Sequence, residues 1–166
     1  MSTRVRAAVP DDAAAIAAIY NQGIRGRQAT FETIERTPAD LAAWFEPDLL
    51  RRFPLLVSCD NAGVVTGWTH ASPYRARACY AGIGDFSVYV AETSRGQRVG
   101  DALMRHFLVA CAEAGLWKVL SRIFPENTAS LALCARHGFR RVGVYERHAQ
   151  LDGVWRDVVI VERLLT

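Results

Sequence analysis

The stretch from Tyr80 to Ala114 changes its apolar period once, and abruptly. Up to Val90 it reads as a strand; from Gly100 onward Leu103, Phe107, Ala110 and Ala114 recur at helical spacing, and Gly115 is a natural stop. Between the two lies Arg95-Gly96-Gln97-Arg98-Val99-Gly100. A strand that feeds a helix through so short a turn gathers unpaired backbone N–H groups and the positive end of the helix dipole at one point. A diphosphate suits that geometry. Arg95 and Arg98 add charge, while Gly96 and Gly100 permit tight turning and close approach. A solvated basic loop that merely caps a helix would look the same locally, so the neighbouring residues must decide. The spacing is neither G-x-G-x-x-G nor G-x-x-x-x-G-K-[ST], which removes the fingerprints of dinucleotide and nucleoside-triphosphate sites.

The rest of the chain surrounds this unit with further strands and helices. Val5 to Val9 reads as a strand, and Pro10-Asp11-Asp12 starts a helix over Ala13 to Asn21. Gly23 to Thr37 is a polar loop, after which Pro38-Ala39-Asp40 begins a helix carrying Leu41, Trp44 and Phe45, bent or broken at Pro47. Leu55 to Cys59 and Val64 to His70 form a hairpin across Asp60-Asn61-Ala62-Gly63. Tyr80 to Val90 is a strand weakened at its start by Gly82 and Gly84. Val119 to Phe124 is a strand and Asn127 to Arg136 a helix ended by Gly138. Val142 to Arg147 and Trp155 to Leu165 make a last hairpin turning at Leu151-Asp152-Gly153. The predicted fold is one mixed αβ domain, α/β in the α+β sense, spanning residues 1–166 around a largely antiparallel central sheet.

Composition agrees with that architecture and narrows the function classes. With 51% hydrophobic and 22% charged residues in 166, the chain has the content of one globular core. No apolar run approaches the roughly 20 residues of a membrane helix. The N-terminus lacks the apolar stretch of a signal peptide, and the expected location is the cytoplasm. Cys59, Cys79, Cys111 and Cys134 are scattered without a C-x-x-C pair, and His70, His106, His137 and His148 form no ligand spacing. Neither a disulfide nor a metal is expected. A net charge of +3 without a long single-sign block does not call for a nucleic-acid partner.

Ser87-Val88-Tyr89-Val90 followed by Arg95-Gly96-Gln97-Arg98-Val99-Gly100 resembles the phosphate-loop motif of the GNAT acetyltransferases, [RQ]-x-x-G-x-[GA] after a strand. Asn127-Thr128-Ala129-Ser130, then Leu133 and His137-Gly138-Phe139, resembles the second GNAT signature, in the family's order and at its distance. The likeness extends nearly end to end toward the phosphinothricin, methionine sulfoximine and arsinothricin N-acetyltransferase branch. Ala71 to Arg77, Tyr80, Asp85 to Val90, Phe31-Glu32 and Gly153 to Asp157 carry it, and the arsinothricin type is the nearest.

The resemblance implies the GNAT acyl-CoA N-acyltransferase fold and acetyl-CoA as co-substrate. It places the coenzyme against Val88, Tyr89, Val90, the Arg95 to Gly100 loop, Asp101, Asn127 and Ser130. Backbone N–H groups of Val88 and Val90 would meet the pantetheine arm and the thioester carbonyl, where the strand splays from its neighbour. Asn127 is also a plain N-cap for its helix. Arg98 occupies the loop position that is commonly Gly. A negative φ there would let its N–H face a phosphate, whereas a positive φ would favour glycine.

Asp85 stands where the branch carries a Glu regarded as the general base. One methylene shorter, it would need a closer acceptor or a bridging water. The plainer reading of Asp85 is a carboxylate bonded to backbone N–H groups beside Gly84. Cys134 falls where many GNAT enzymes place a Tyr, and this branch often a His, to protonate the departing thiolate. A buried helix cysteine is first of all a packing residue.

An acceptor with a carboxylate and a second anionic head calls for cations and donors. Arg75, and less directly Arg77, suit it, with Tyr74, Tyr80 and Phe31 as walls with an apolar body. Loop charges and a core-anchoring Phe31 are the structural alternatives. The branch implies a homodimer in which C-terminal hairpins, here with Trp155 and Asp157, approach the neighbouring site. Acetylation of a phosphinothricin- or arsinothricin-like amino acid is therefore expected. Methionine sulfoximine, another amino acid or a small amine stays open as acceptor, and so does a coenzyme-binding sensor that has lost catalysis.

Overall fold

A computed structural model describes residues 3–165. One sheet of seven strands runs through it in the order β1-β2-β3-β4-β5-β7-β6. The strands are β1 (Arg4–Ala7), β2 (Leu55–Cys59), β3 (Val65–Pro73), β4 (Ile83–Val90), β5 (Lys118–Ile123), β6 (Arg140–Leu151) and β7 (Val154–Leu164). Every neighbouring pair is antiparallel except β4 and β5. The helices are α1 (Ala13–Gly26), α2 (Pro47–Arg52), α3 (Val99–Glu113) and α4 (Thr128–Arg136). The mostly antiparallel sheet with flanking helices is the architecture expected from the sequence.

Four local expectations are corrected. Helix α1 runs five residues past Asn21 to Gly26, because Gly23 is tolerated inside it and Arg27 ends it in the left-handed region at φ 56°. Pro38–Phe45 winds as successive 3₁₀ turns closed by a Thr37–Asp40 capping box, and Pro47 opens a new helix at its first turn. The β4 strand begins at Ile83, since Ala78–Tyr80 is a 3₁₀ turn. The last hairpin turns where expected, with Asp152 and Gly153 both at positive φ. Its β6 arm is longer than read and is bulged between Tyr145 and Ala149, where the Asp157 carboxylate accepts the Arg147 N–H at 2.8 Å.

The core has one layer on each face of the sheet. Helices α3 and α4 cover one face, where Met104, Phe107, Cys111 and Cys134 meet Phe86, Val119 and Ile123. Helix α1 and the 38–45 segment cover the other through Ile16, Ile19 and Leu41 against Val57 and Trp68. The Tyr89 ring stacks on Trp68 at 4.8 Å in this second layer. A smaller cluster of Phe124, Leu151 and Val158 lies beneath Phe31 and Ile160. α1 therefore covers the β3–β4 side of that face, and Phe31 the β5–β7 side.

Candidate active site

Strands β4 and β5 pair only from Ile83 to Asp85, against Lys118 to Leu120, and then part. The Ser121 hydroxyl donates to the Phe86 carbonyl at 2.9 Å at the start of the gap. On its other side β4 stays paired with β3 as far as Val90, and the Ala91 N–H donates to the Thr66 carbonyl at 2.9 Å. Successive residues of a strand point their backbone groups to opposite sides. Ala91, Tyr89 and Ser87 therefore face β3, and Val88 and Val90 present their N–H groups to the gap. A buried strand does not leave such donors unmatched without a ligand or water to take them.

The gap opens into a cavity of about 820 Å³. Its lining includes Val88, Tyr89 and Val90, then Arg95, Gly96, Arg98, Val99, Gly100 and Asp101, then Asn127 and Ser130. Of the residues assigned to the coenzyme from sequence, Gln97 alone is absent from the lining; its side-chain amide donates to the Thr93 carbonyl at 3.0 Å and closes the turn. The first backbone bond of α3 runs from the Ala102 N–H to the Arg98 carbonyl at 3.1 Å. The N–H groups of Val99, Gly100 and Asp101 thus have no partner within the helix and converge on its positive end.

Arg98 is the N-cap of α3 and sits at φ 63°, ψ 18°. The negative φ that would suit Arg is not what the turn adopts; Gly96 at φ 75° and Arg98 both take the left-handed region so that the chain can fold back into the helix. Arg98 accepts about 1 kcal/mol of strain there and sets an exposed guanidinium beside the cavity. Gly100 serves close approach, since a Cβ would lie 3.2 Å from Leu133 Cδ2 on α4. The Asp101 carboxylate is engaged by α4 and the residue after it, accepting from Arg136 at 3.1 and 3.2 Å and meeting His137 at 3.1 Å. Asn127 caps α4, its side-chain oxygen taking the Ser130 N–H at 3.2 Å.

Asp85 lies at the last paired position before the strands diverge. It is not the backbone-bonded turn carboxylate of the plainer reading: its carboxylate contacts the Arg122 guanidinium of β5. Burial lifts its pKa above the ordinary carboxylate value, and Arg122 pulls in the opposite direction. The result is a carboxylate of raised basicity held beside a cation. The Asp85–Ser72 and Ser87–His70 cross-strand pairs put all four side chains on the face that α3 and α4 do not cover.

The residues expected to hold an acceptor fall into two groups around Asp85. Phe31 packs edge-on against Phe124 at 4.8 Å, on the strand side that carries Arg122. It anchors its loop to the Phe124 cluster. Tyr74 and Tyr80 meet edge-on at 5.6 Å beyond the other end of β3, tied to the start of β4 by the Tyr74 N–H and Ile83 carbonyl at 3.3 Å. Arg75 lies over the Tyr74 ring at 5.1 Å and is exposed, as is Arg77. None of these five lines the large cavity, so the acceptor and coenzyme candidates occupy separate neighbouring surfaces.

Cys134 is buried in the layer under α4, outside the cavity lining, and burial pushes its thiol up to about 11. A thiol so reluctant to ionise is a packing group, not a donor to a thiolate. Sequence reading missed Arg122, whose signal was a lone Arg inside an otherwise strand-like Val119 to Phe124. It also missed Gln22, Gly23 and Gly26 of α1, which line the cavity through tertiary packing and carry no local motif. No helix among the described residues is long and apolar enough to cross a membrane.

Residues 21–139 match the acetyltransferase (GNAT) family. The chain is 34% identical over 163 residues to a phosphinothricin N-acetyltransferase of Alcaligenes faecalis, covering 97% of this chain and 82% of that one. It is 32% identical over 165 residues to an L-methionine sulfoximine/L-methionine sulfone acetyltransferase of Pseudomonas aeruginosa, covering 98% and 94%. A GNAT superfamily phosphinothricin acetyltransferase from Sinorhizobium meliloti, solved in complex with AcCoA, superposes with a TM-score of 0.91 at 27% identity, covering 99% and 89%.

Proposed function

The chain belongs to the GNAT acetyltransferase family and is an enzyme that transfers acetyl groups; from that premise we propose that it uses acetyl-CoA to acetylate the α-amine of a phosphinothricin- or arsinothricin-like amino acid. The observation that carries the proposal is the divergence of β4 from β5 directly beyond Asp85. It sets unpaired N–H groups, a half-buried carboxylate and a basic helix start around one gap.

In this reading the pyrophosphate rests on the N–H groups of Val99 to Asp101, with Arg95 and Arg98 supplying charge. The pantetheine arm follows Val88 and Val90 toward Asn127 and Ser130. A Val88 or Val90 N–H donates to the thioester oxygen as negative charge develops there. Asp85 takes one proton from the acceptor ammonium, directly or through water, and the neutral amine attacks the carbonyl carbon. The C–N bond forms, the C–S bond breaks, and the second nitrogen proton goes to the departing thiolate. Phe31, Tyr74 and Tyr80 wall the acceptor, and Arg75 and Arg77 stand near its anionic head. Sequence identity of about a third to acetyltransferases acting on phosphinothricin and methionine sulfoximine supports an acceptor of this class.

The same proposal includes a homodimer in the cytoplasm. β6 is an edge strand exposed from Arg140 through His148, and Val144, Tyr145, Val154 and Trp155 are exposed apolar residues of its hairpin. A bare apolar edge of that kind calls for a covering partner. Thiol release from acetyl-CoA with phosphinothricin, arsinothricin, methionine sulfoximine and glutamate tests the activity. Strong preference for one of the analogues is expected; equal rates on all four would contradict a tuned pocket, and a monomer by light scattering would contradict the dimer.

A further inference from the structure

We propose that Arg122 holds the α-carboxylate of the acceptor, so that Asp85 and Arg122 together recognise an α-amino acid as a zwitterion. The inference rests on the acetyl-transfer reading of this site and names the group that selects its substrate class. It begins with one contact: the Arg122 guanidinium bonds the Asp85 carboxylate across the point where β4 and β5 cease to pair.

An ion pair inside an acceptor site is itself the complement of a zwitterion. When an α-amino acid enters, its ammonium meets Asp85 and its carboxylate meets Arg122, and each protein charge keeps a partner throughout. A guanidinium beside the proton acceptor would repel an amine that brought no anion of its own. Arg122 has the donors for both tasks. Asp85 is its one hydrogen-bond partner among the described residues, and a guanidinium carries five N–H groups in a planar fork that matches a carboxylate.

Its placement leaves room for the carboxylate. Arg122 lies two residues beyond Leu120, the last β5 residue paired with β4, so no β4 backbone stands opposite it. Its side chain is 43% exposed, whereas that of Asp85 is 19% exposed. On its β7 side the neighbouring residues are apolar, with the Arg156 guanidinium lying over the Phe124 ring at 4.3 Å. Ile160 is its cross-strand neighbour on β7, and Phe124, two residues on and on the same face, carries Phe31 against it. Such a border limits water and strengthens a charge-assisted bond.

Arg75 and Arg77 do not compete for this role. They stand past Pro73 at the far end of β3, exposed, with Arg75 lying over Tyr74. From there they suit the second acid group of a longer acceptor, leaving the α-carboxylate to Arg122.

The test compares phosphinothricin and L-methionine sulfoximine with their decarboxylated amines, by thiol release, in wild-type protein, Arg122→Gln and Arg122→Lys. For Arg122→Gln, KM for the amino acids rises about 10- to 100-fold, the range of a lost charge-assisted contact, with a smaller change in kcat. KM for the decarboxylated amines does not rise, and Arg122→Lys recovers part of the loss. Acetyl-CoA affinity, measured by calorimetry on the same samples, reports folding of the variants. Equal losses on both acceptor classes, or an unchanged KM for the amino acids, would overturn the proposal while leaving acetyl transfer intact. Wild-type protein that releases no coenzyme with any acceptor would overturn the acetyl-transfer reading instead. Amino-acid binding followed by NMR then decides Arg122 separately: binding lost in Arg122→Gln supports the role, and binding retained refutes it.

Discussion

A Cβ on Gly23 would lie 2.5 Å from Tyr89 Cε1. The bare backbone of α1 therefore receives the Tyr89 ring, which stacks on Trp68 at 4.8 Å and lies 5.0 Å from Tyr20. Helix α1 is held against β4 by this contact, and both residues line the cavity of about 820 Å³.

Gly23→Ala should consequently destabilise the protein. Alanine gains about 1 kcal/mol of helix propensity over glycine, but overpacking against a buried ring costs typically 1–3 kcal/mol. Urea denaturation should give a lower midpoint, and acetyl-CoA should bind more weakly because the ring that moves is part of the cavity wall. A stabilised variant would show that Tyr89 has free space to yield.

The βα unit around Arg95 to Gly100 was legible because every signal in it is local: a period change, glycines, basic residues and a helix start. Asn127 was legible as a cap for the same reason. Arg122 and Gly23 were not. Each acquires its role only when strands or helices far apart in sequence meet, and neither sits in a motif. Arg98 falls between these cases. Its charge could be read from the sequence, but its left-handed backbone is imposed by the turn as a whole, and nothing in the residue type announces φ 63°. The 38–45 segment was misread because its apolar spacing suits α and 3₁₀ turns alike over so short a length.

Replacing Arg98 by Gly separates conformation from charge. Glycine takes the left-handed region without strain, so stability should rise by about 1 kcal/mol, or 2–4 °C in Tm for a chain of this size. Acetyl-CoA affinity should fall at low salt, and the difference from wild type should fade toward 1 M salt, where the screening length is about 3 Å. Titrations at two salt concentrations check this. Unaltered affinity at low salt would mean that the backbone N–H groups suffice.

His70 supplies a pH test of stability. It is buried beside Trp44, ring to ring at 4.5 Å, its Nε2 has no hydrogen-bond partner among the described residues, and burial lowers its pKa to about 4. An unfolded chain binds a proton at His70 near pH 6.5, while the folded protein resists until about pH 4. The neutral ring therefore favours folding above pH 6.5, and stability is lost as pH falls from there toward 4. The full effect is on the order of 3 kcal/mol. His70→Phe should remove that part of the acid sensitivity in urea denaturation at pH 7.5 and 4.5. An equal pH dependence in both proteins would refute it.

The acid limb of kcat/KM should report Asp85. Burial raises its pKa and Arg122 lowers it, so protonation should silence the base at a pH above the usual carboxylate range. Arg122→Gln removes the lowering influence and should move that limb to higher pH. A limb that stays in place would mean that another group titrates.

In the proposed reaction Asp85 accepts the proton where β4 leaves β5. Asp85→Asn keeps the shape of the side chain and removes its basicity. Thiol release and acetyl-CoA binding should be measured on the same preparation. kcat is expected to fall by about 10²- to 10⁴-fold, the range of a lost general base, with acetyl-CoA affinity within about two-fold of wild type. Turnover close to that of the wild type would remove Asp85 from the mechanism.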